Sequence, residues 1–217
     1  MPGSMLPRRS GTAGLSGTIT RLGRVPRFTR ERHGSAGVAC PPMPLRHSDR
    51  MPGTTGGVVV RIVGSVFQGR GRPGDFAWMI EQPDWADALF VFNDNEEQFR
   101  AYQRDPADPR GCTRGGGNAA IRPYRCTKPV RAAGIPTGVG GAGYSALTEA
   151  VRDVIDDAVS VVRAVAESEG YQRIVYSAAE GSGGLGTGIF EVGDDVKAYI
   201  VERLRGLENE SSAADEP

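Results

Sequence analysis

The 217-residue sequence predicts an α/β domain built on a mostly parallel sheet. Three observations carry that prediction. Apolar, β-branched runs alternate with helical stripes in the second half of the chain, the pattern of βα units with helices on both sheet faces. Ala88-Leu89-Phe90-Val91-Phe92 is apolar without alternation, which suits a strand buried on both faces. Glycine-rich or polar segments follow three of the runs, and ligands of such sheets sit beyond the C-terminal ends of the strands.

Val58 to Phe67 is β-branched and reads as the first strand. After a Gly/Arg/Pro loop, Asp75 can cap a short helix through Ile80. Asp87 to Phe92 is the second strand, and Asn93-Asp94-Asn95 stands at its C-terminal end. A helix is expected over Asn95 to Gln103, broken by Asp105-Pro106-Ala107-Asp108-Pro109. Gly115-Gly116-Gly117 leads into Asn118-Ala119-Ala120-Ile121, and Pro123 stops any long helix there. Val130 to Thr137 is the third strand, ending in a loop over 138–143. Ser145 to Glu169 carries the clearest helical stripe, with Gly170 as its stop. Gln172 to Ser177 is the last strand. It enters a loop with five glycines between Gly181 and Gly188, and Asp194 can N-cap a final helix through Leu207.

Composition, 24% charged and 39% hydrophobic, suits one soluble domain plus tails. Residues 1–56 form an Arg/Gly/Pro-rich tail, 57–207 the α/β domain, and 208–217 an acidic, frayed end. Net charge is zero, yet residues 1–50 carry about +7 and the remainder about −7. A domain of that sign is a poor general nucleic-acid binder, because phosphate neutralisation needs basic clusters. Three readings compete for the basic tail. It is a nucleic-acid or membrane arm, a transit peptide, or an over-long start with Met51 as the true first residue. No stretch approaches the ~18 apolar residues that span a bilayer, and no signal-peptide core is present, so the expectation is cytoplasmic and off the membrane.

The rare residues exclude several chemistries. Both histidines, His33 and His47, lie in the tail, which removes Ser-His-Asp and Cys-His nucleophile pairs from the domain. Neither lysine, Lys128 or Lys197, follows a P-loop glycine pattern, so a Walker-type hydrolase is excluded. Cys112 and Cys126 have no C-x-x-C spacing. The reading is two unpaired thiols in a reducing compartment, with a loop-stapling or redox pair as the alternative. No metal or cofactor is required by the sequence.

What remains is a phosphate-bearing ligand. Gly181 to Gly188, between a strand and a helix, can aim backbone amides at an anion, with the helix N-terminus adding a favourable dipole. The segment formally matches G-x-G-x-x-G, but no further strand with an acidic residue follows, which argues against a dinucleotide fold. A turn that merely closes the sheet is the plain alternative. Asn93, Asp94 and Asn95 suit ribose binding or orienting a water, or else ordinary turn chemistry. Arg114 and Arg122 flank the second glycine loop and could face a diphosphate, or be solvated charges. Phe67, Trp78, Trp85, Phe92 and Phe190 read mainly as core, with Phe190 also placed to stack on a sugar.

These parts in this order resemble the macro domain family, the ADP-ribose-binding fold. The closest element is Gly186-Thr187-Gly188-Ile189-Phe190, and the triplet Gly115-Gly116-Gly117 before Asn118 is next. The resemblance covers about residues 57–207. It implies a three-layer α/β/α fold with a mixed, mostly parallel central sheet. It implies that Ser182, Gly183, Gly184, Leu185, Gly186, Thr187, Gly188, Ile189 and Phe190 wrap the diphosphate of ADP-ribose or a related nucleotide, alongside Asn95 and Gly115 to Gly117. Asn93, Asp94 and Asn118 are the implied orienters or base if an ADP-ribosyl or phosphate ester bond is cut, and the partner is then a free nucleotide or an ADP-ribosylated protein. Two departures stand out. The family's first strand leads to an Asp that reads adenine, where this chain has Gly64-Ser65-Val66-Phe67. Its strand end reads asparagine-alanine-alanine-asparagine, where this chain has Asn93-Asp94-Asn95. A non-enzymatic sensor or interaction module and a nucleotide-sugar hydrolase are the alternatives.

Overall fold

The computed structural model describes residues 60–188 and 190–213. The Arg-rich segment with its three readings, the beginning of the first expected strand, Ile189 and the last four residues lie outside the described residues. The elements run β1 (Arg61–Val66), α1 (Phe76–Met79), β2 (Ala88–Asn95), α2 (Glu96–Arg104), α3 (Pro109–Cys112), β3 (Ala132–Val139), β4 (Ala142–Gly143), α4 (Glu149–Glu169), β5 (Arg173–Ala178) and α5 (Asp194–Ala213). Two 3-10 helices, Pro83–Trp85 and Gly117–Cys126, complete the order.

The five strands form one mixed sheet in the order β1-β5-β2-β3-β4. The first four are mutually parallel, and only β4 runs antiparallel, against β3. The sequence expectation of a loop over 138–143 is thereby corrected: Gly140 and Gly141, both at positive φ, turn the chain into a short hairpin.

Alternation along β2 sorts its side chains between two apolar clusters. Leu89 and Val91 pack with Ile174, Tyr176 and Ile135 against α4 and α5, where Val154, Ile155, Val162, Val196, Ile200 and Leu204 supply the helical stripes. Ala88, Phe90 and Phe92 pack with Val175 and Ala132 on the other face, under Phe76, Met79, Ile80, Ala119 and Ile121. Helical layers therefore cover both faces. Local signals set the ends. The Asn95 side chain accepts from the Glu97 amide and caps α2, Thr148 caps α4 through the Val151 amide, and Gly170 ends α4 at φ 74°.

Several boundaries differ from the sequence reading. The long helix begins at Glu149, not Ser145, because Thr148 is the residue that caps it. Pro123 lies inside a ten-residue 3-10 helix rather than ending one. The last helix continues to Ala213, through the start of the segment assigned to a frayed tail. Glu208 belongs to the fold, since its carboxylate accepts the Ile62 amide of edge strand β1 at 2.6 Å. Phe67 is not core but 60% exposed. The two cysteines are not free thiols: Cys112 and Cys126 form a disulfide. It joins α3 to the far end of the 3-10 helix and closes the loop that holds the glycine triplet. Among the described residues no helix is long and apolar enough to cross a membrane.

Candidate functional site

Three segments meet at the C-terminal ends of the central strands. Strand β2 carries Asn93 to that edge, half-buried. Its backbone amide donates to Asn118 Oδ1 at 3.2 Å, and its Nδ2 donates to the Gly186 carbonyl at 2.8 Å. One asparagine thus ties the strand end to both glycine-rich segments. Asn118 itself is half-buried, and the loop before it is set by local bonds, Gly115 amide to Ala119 carbonyl and Ala119 amide to Gly116 carbonyl. Gly116 and Gly117 are exposed, Gly115 is half-buried, and Gly117 is at φ 56°.

The five-glycine segment divides into two parts. Ala178 pairs with Leu185 in an antiparallel bridge, and the Ala179 amide donates to the Gly184 carbonyl, so residues 180–183 form a turn of their own. Ser182 Oγ accepts the Gly184 amide, and Tyr176 Oη donates to the Gly183 carbonyl. This first part lines a groove of about 570 Å³ against Ala198, Val201, Glu202 and Arg205 of α5. Leu185 is buried and turns into the core. The second part crosses the sheet edge. Gly186 bonds back to the Ser177 carbonyl and passes so close to β5 that a Cβ there would lie 2.8 Å from the Ala178 oxygen. Thr187 is half-buried, Gly188 is exposed, and Phe190 is 42% exposed. Ile189 lies outside the described residues. The strap then docks on the hairpin, where the Gly193 amide donates to the Tyr144 carbonyl at 2.8 Å. Any Cβ on Gly143 would meet the Glu191 oxygen at 2.1 Å.

The bond from the glycine segment to the strand end comes from Gly186. The segment stops short of α5, the helix whose dipole the sequence predicts to favour an anion there. Phe190 to Gly193 intervene, and the first turn of α5 carries its own carboxylates, Asp194 and Asp195. Asp195 accepts the Leu147 amide, which holds its carboxyl below the usual range.

Asp94 is the largest departure. It points to the opposite side of β2 from Asn93, and its side chain is fully buried. Arg122 Nε and Nη2 reach Oδ1 at 2.9 and 2.7 Å, and Arg125 Nη1 reaches Oδ2 at 2.6 Å. Gly134 leaves room for it, since a Cβ there would sit 2.5 Å from Oδ2. Asp94 is therefore the anchor of a buried ion triad, not a base exposed to a ligand. Arg122 is likewise not a diphosphate-facing charge. Its Nη1 donates to the Thr113 carbonyl, and its guanidinium lies 3.0 Å from where a Gly115 Cβ would stand, under the glycine loop. Arg125 donates to the Gly111 and Gln98 carbonyls and stacks over Tyr102 at 4.6 Å. Burial lowers the Arg125 guanidinium from its ordinary value, and Asp94 pulls against that shift. Arg114 stays exposed. Asn95 spends its side-chain oxygen on the cap of α2, which leaves its amide group as its only free polar end.

Sequence reasoning missed Arg125, although two arginines three residues apart beside an apolar segment are the signal of a buried charge seeking a partner. It also missed Glu96, which accepts Tyr144 Oη at 2.6 Å and pairs with Arg100. Burial pushes the Glu96 carboxyl up, but the bonds from Tyr144 and Arg100 outweigh it and hold the group below its ordinary value. Among the described residues no cluster of three or more His, Cys, Asp or Glu could hold a metal ion. No protein-family model, no curated protein and no solved structure matches this chain.

Proposed function

We propose that the chain binds ADP-ribose or a related nucleoside diphosphate at the C-terminal edge of β2, in the manner of a macro domain. The observation that carries this reading is the double use of Asn93, bonded to Asn118 on one side and to the Gly186 carbonyl on the other. The two glycine-rich segments then flank one strand end. Gly116, Gly117 and Gly188 are among their exposed members and have no side chain to keep an anion from the backbone amides. The half-buried Asn93 and Asn118 suit ribose hydroxyls, and the exposed Phe190 offers an aromatic face for a sugar. The order of elements and the Gly-Thr-Gly-Ile-Phe segment, which resemble that family, support the same reading.

The burial of Asp94 favours a binding module over a hydrolase that would use this carboxylate as its base. A water-activating role would fall to the neutral Asn93 and Asn118, which orient but do not take a proton. Titration calorimetry with ADP-ribose, AMP, NAD and a nucleotide sugar tests the reading. The expected result is saturable binding of ADP-ribose, lost in Asn93→Ala while the far-ultraviolet circular dichroism is kept. Failure of all four ligands to bind overturns it. Turnover of an ADP-ribosylated protein would restore the hydrolase reading.

A further inference from the structure

The Cys112–Cys126 disulfide holds a place in the chain that the nucleotide reading does not use. It closes the span of 14 positions that carries Gly115, Gly116, Gly117 and Asn118, one of the two glycine-rich segments at the candidate site. Cys112 follows Gly111 and Cys126 follows Arg125, and Arg125 Nε donates to the Gly111 carbonyl. The bridge therefore doubles a hydrogen bond between the same two points of the chain.

Between those points the segment is lightly held. The Thr113 carbonyl accepts Arg122 Nη1 at 2.9 Å, Gly115 and Ala119 bond within the turn, and Asn118 Oδ1 accepts the Asn93 amide at 3.2 Å. Gly116 and Gly117 are exposed, and glycine loses more freedom on being fixed than any other residue. With the bridge closed, the ends of the segment stay joined when a single hydrogen bond opens. With the bridge open, the segment depends on those hydrogen bonds, and a ligand must order its glycines in order to bind, which lowers affinity.

The bridge is within reach of a reductant, since Cys126 is exposed and Cys112 half-buried. One thiolate of a dithiol attacks Cys126 Sγ, the S–S bond breaks, and Cys112 leaves as a thiolate. The second thiol of the reductant then displaces Cys126. The reductant ends as a cyclic disulfide, and the protein gains two electrons and two protons as a pair of thiols.

We propose that this disulfide is a redox switch on the candidate site. Oxidised, it keeps Gly115 to Asn118 beside Asn93. Reduced, it lets that segment loosen while Arg122 and Arg125 stay on Asp94, and nucleotide affinity falls. This rests on the nucleotide reading of the Asn93 site and adds control to it. The test is calorimetry on the full chain with Cys40→Ser, which removes the third cysteine. The ligand is whichever binds among ADP-ribose, AMP, NAD and a nucleotide sugar, titrated before dithiothreitol, after it and after reoxidation. Affinity should fall about tenfold on reduction, as loss of preorganisation allows, and return on reoxidation. The Cys112→Ser/Cys126→Ser variant should bind as the reduced protein does and ignore dithiothreitol. A bridge with a merely structural role would lower the unfolding midpoint and leave affinity unchanged. Equal affinity before and after reduction therefore overturns the inference and leaves the nucleotide reading standing. If the oxidised chain binds none of the four, the nucleotide reading falls and hydrogen exchange decides the switch. The Gly115 and Ala119 amides should then exchange about tenfold faster after reduction, while the Phe90 amide of β2 keeps its protection. Unchanged exchange, or loss of protection at Phe90 as well, overturns it.

Discussion

Asp94 sits one residue from Asn93, yet the pleat of β2 sends the two side chains into different environments. The consequence for mutagenesis is specific. Replacing Asp94 by Ala removes the carboxylate that Arg122 and Arg125 share and leaves Arg125 buried without that partner. Breaking a buried ion pair from one side costs about 3–5 kcal/mol. Asp94→Ala is therefore expected to lower the free energy of unfolding by that order, read from urea denaturation. A loss of ligand binding without a stability change would contradict the triad. Asn93→Ala should behave in the opposite way, with ligand affinity lost and the unfolding midpoint shifted little, because Asn93 makes only neutral hydrogen bonds worth about 1 kcal/mol each. Residue type and order picked out Asn93, Asn118 and Gly186, which hydrogen bonds bring together in the candidate site. The fate of Asp94 was not legible, because it depends on Arg122 and Arg125, about thirty positions downstream, folding back over Phe92.

At the scale of elements, the strands and long helices were readable because apolar period and capping residues agree: β2 before Asn95, α4 between Thr148 and Gly170. The division of the glycine segment was not readable, since it follows from a long-range fit of Gly186 against β5 and of Glu191 against Gly143. Helix α2 is tied to the hairpin segment by the bond from Tyr144 to Glu96. Glu96 has its folded-state pKa below its ordinary 4.5. Its contribution to stability is therefore complete above that value and fades as pH falls through the lower, folded one. Urea midpoints taken down a pH series should drop more steeply on the acid side for the natural chain than for Glu96→Gln; parallel curves would remove Glu96 from the account. The disulfide acts on another element, the loop between α3 and the end of the 3-10 helix. Cross-linking a loop of about 15 residues stabilises by about 3 kcal/mol in the chain-entropy account. The Cys112→Ser/Cys126→Ser variant should lose about that much and become insensitive to reductant, while Arg122 and Arg125 keep the loop folded on Asp94. A midpoint equal to that of the oxidised protein would show the bridge to be idle.

On the whole-molecule scale, the described residues, from 60 onward, supply two apolar clusters that cover both faces of the sheet. Deleting residues 1–50 should therefore leave the thermal midpoint unchanged, a comparison that scanning calorimetry makes directly. A fall of several degrees would assign the basic segment a structural role. The sheet order has a different implication, one that concerns synthesis. Strand β5 is the last to be made, yet it lies between β1 and β2. Until Arg173 to Ala178 has left the ribosome, β1 has no partner strand among the described residues and β2 has one bare edge, each with unpaired amides and carbonyls. A nascent or truncated chain that stops before β5 thus exposes the two surfaces most prone to pairing with other chains. Its solubility is decided by the emergence of β5 rather than by any residue already folded.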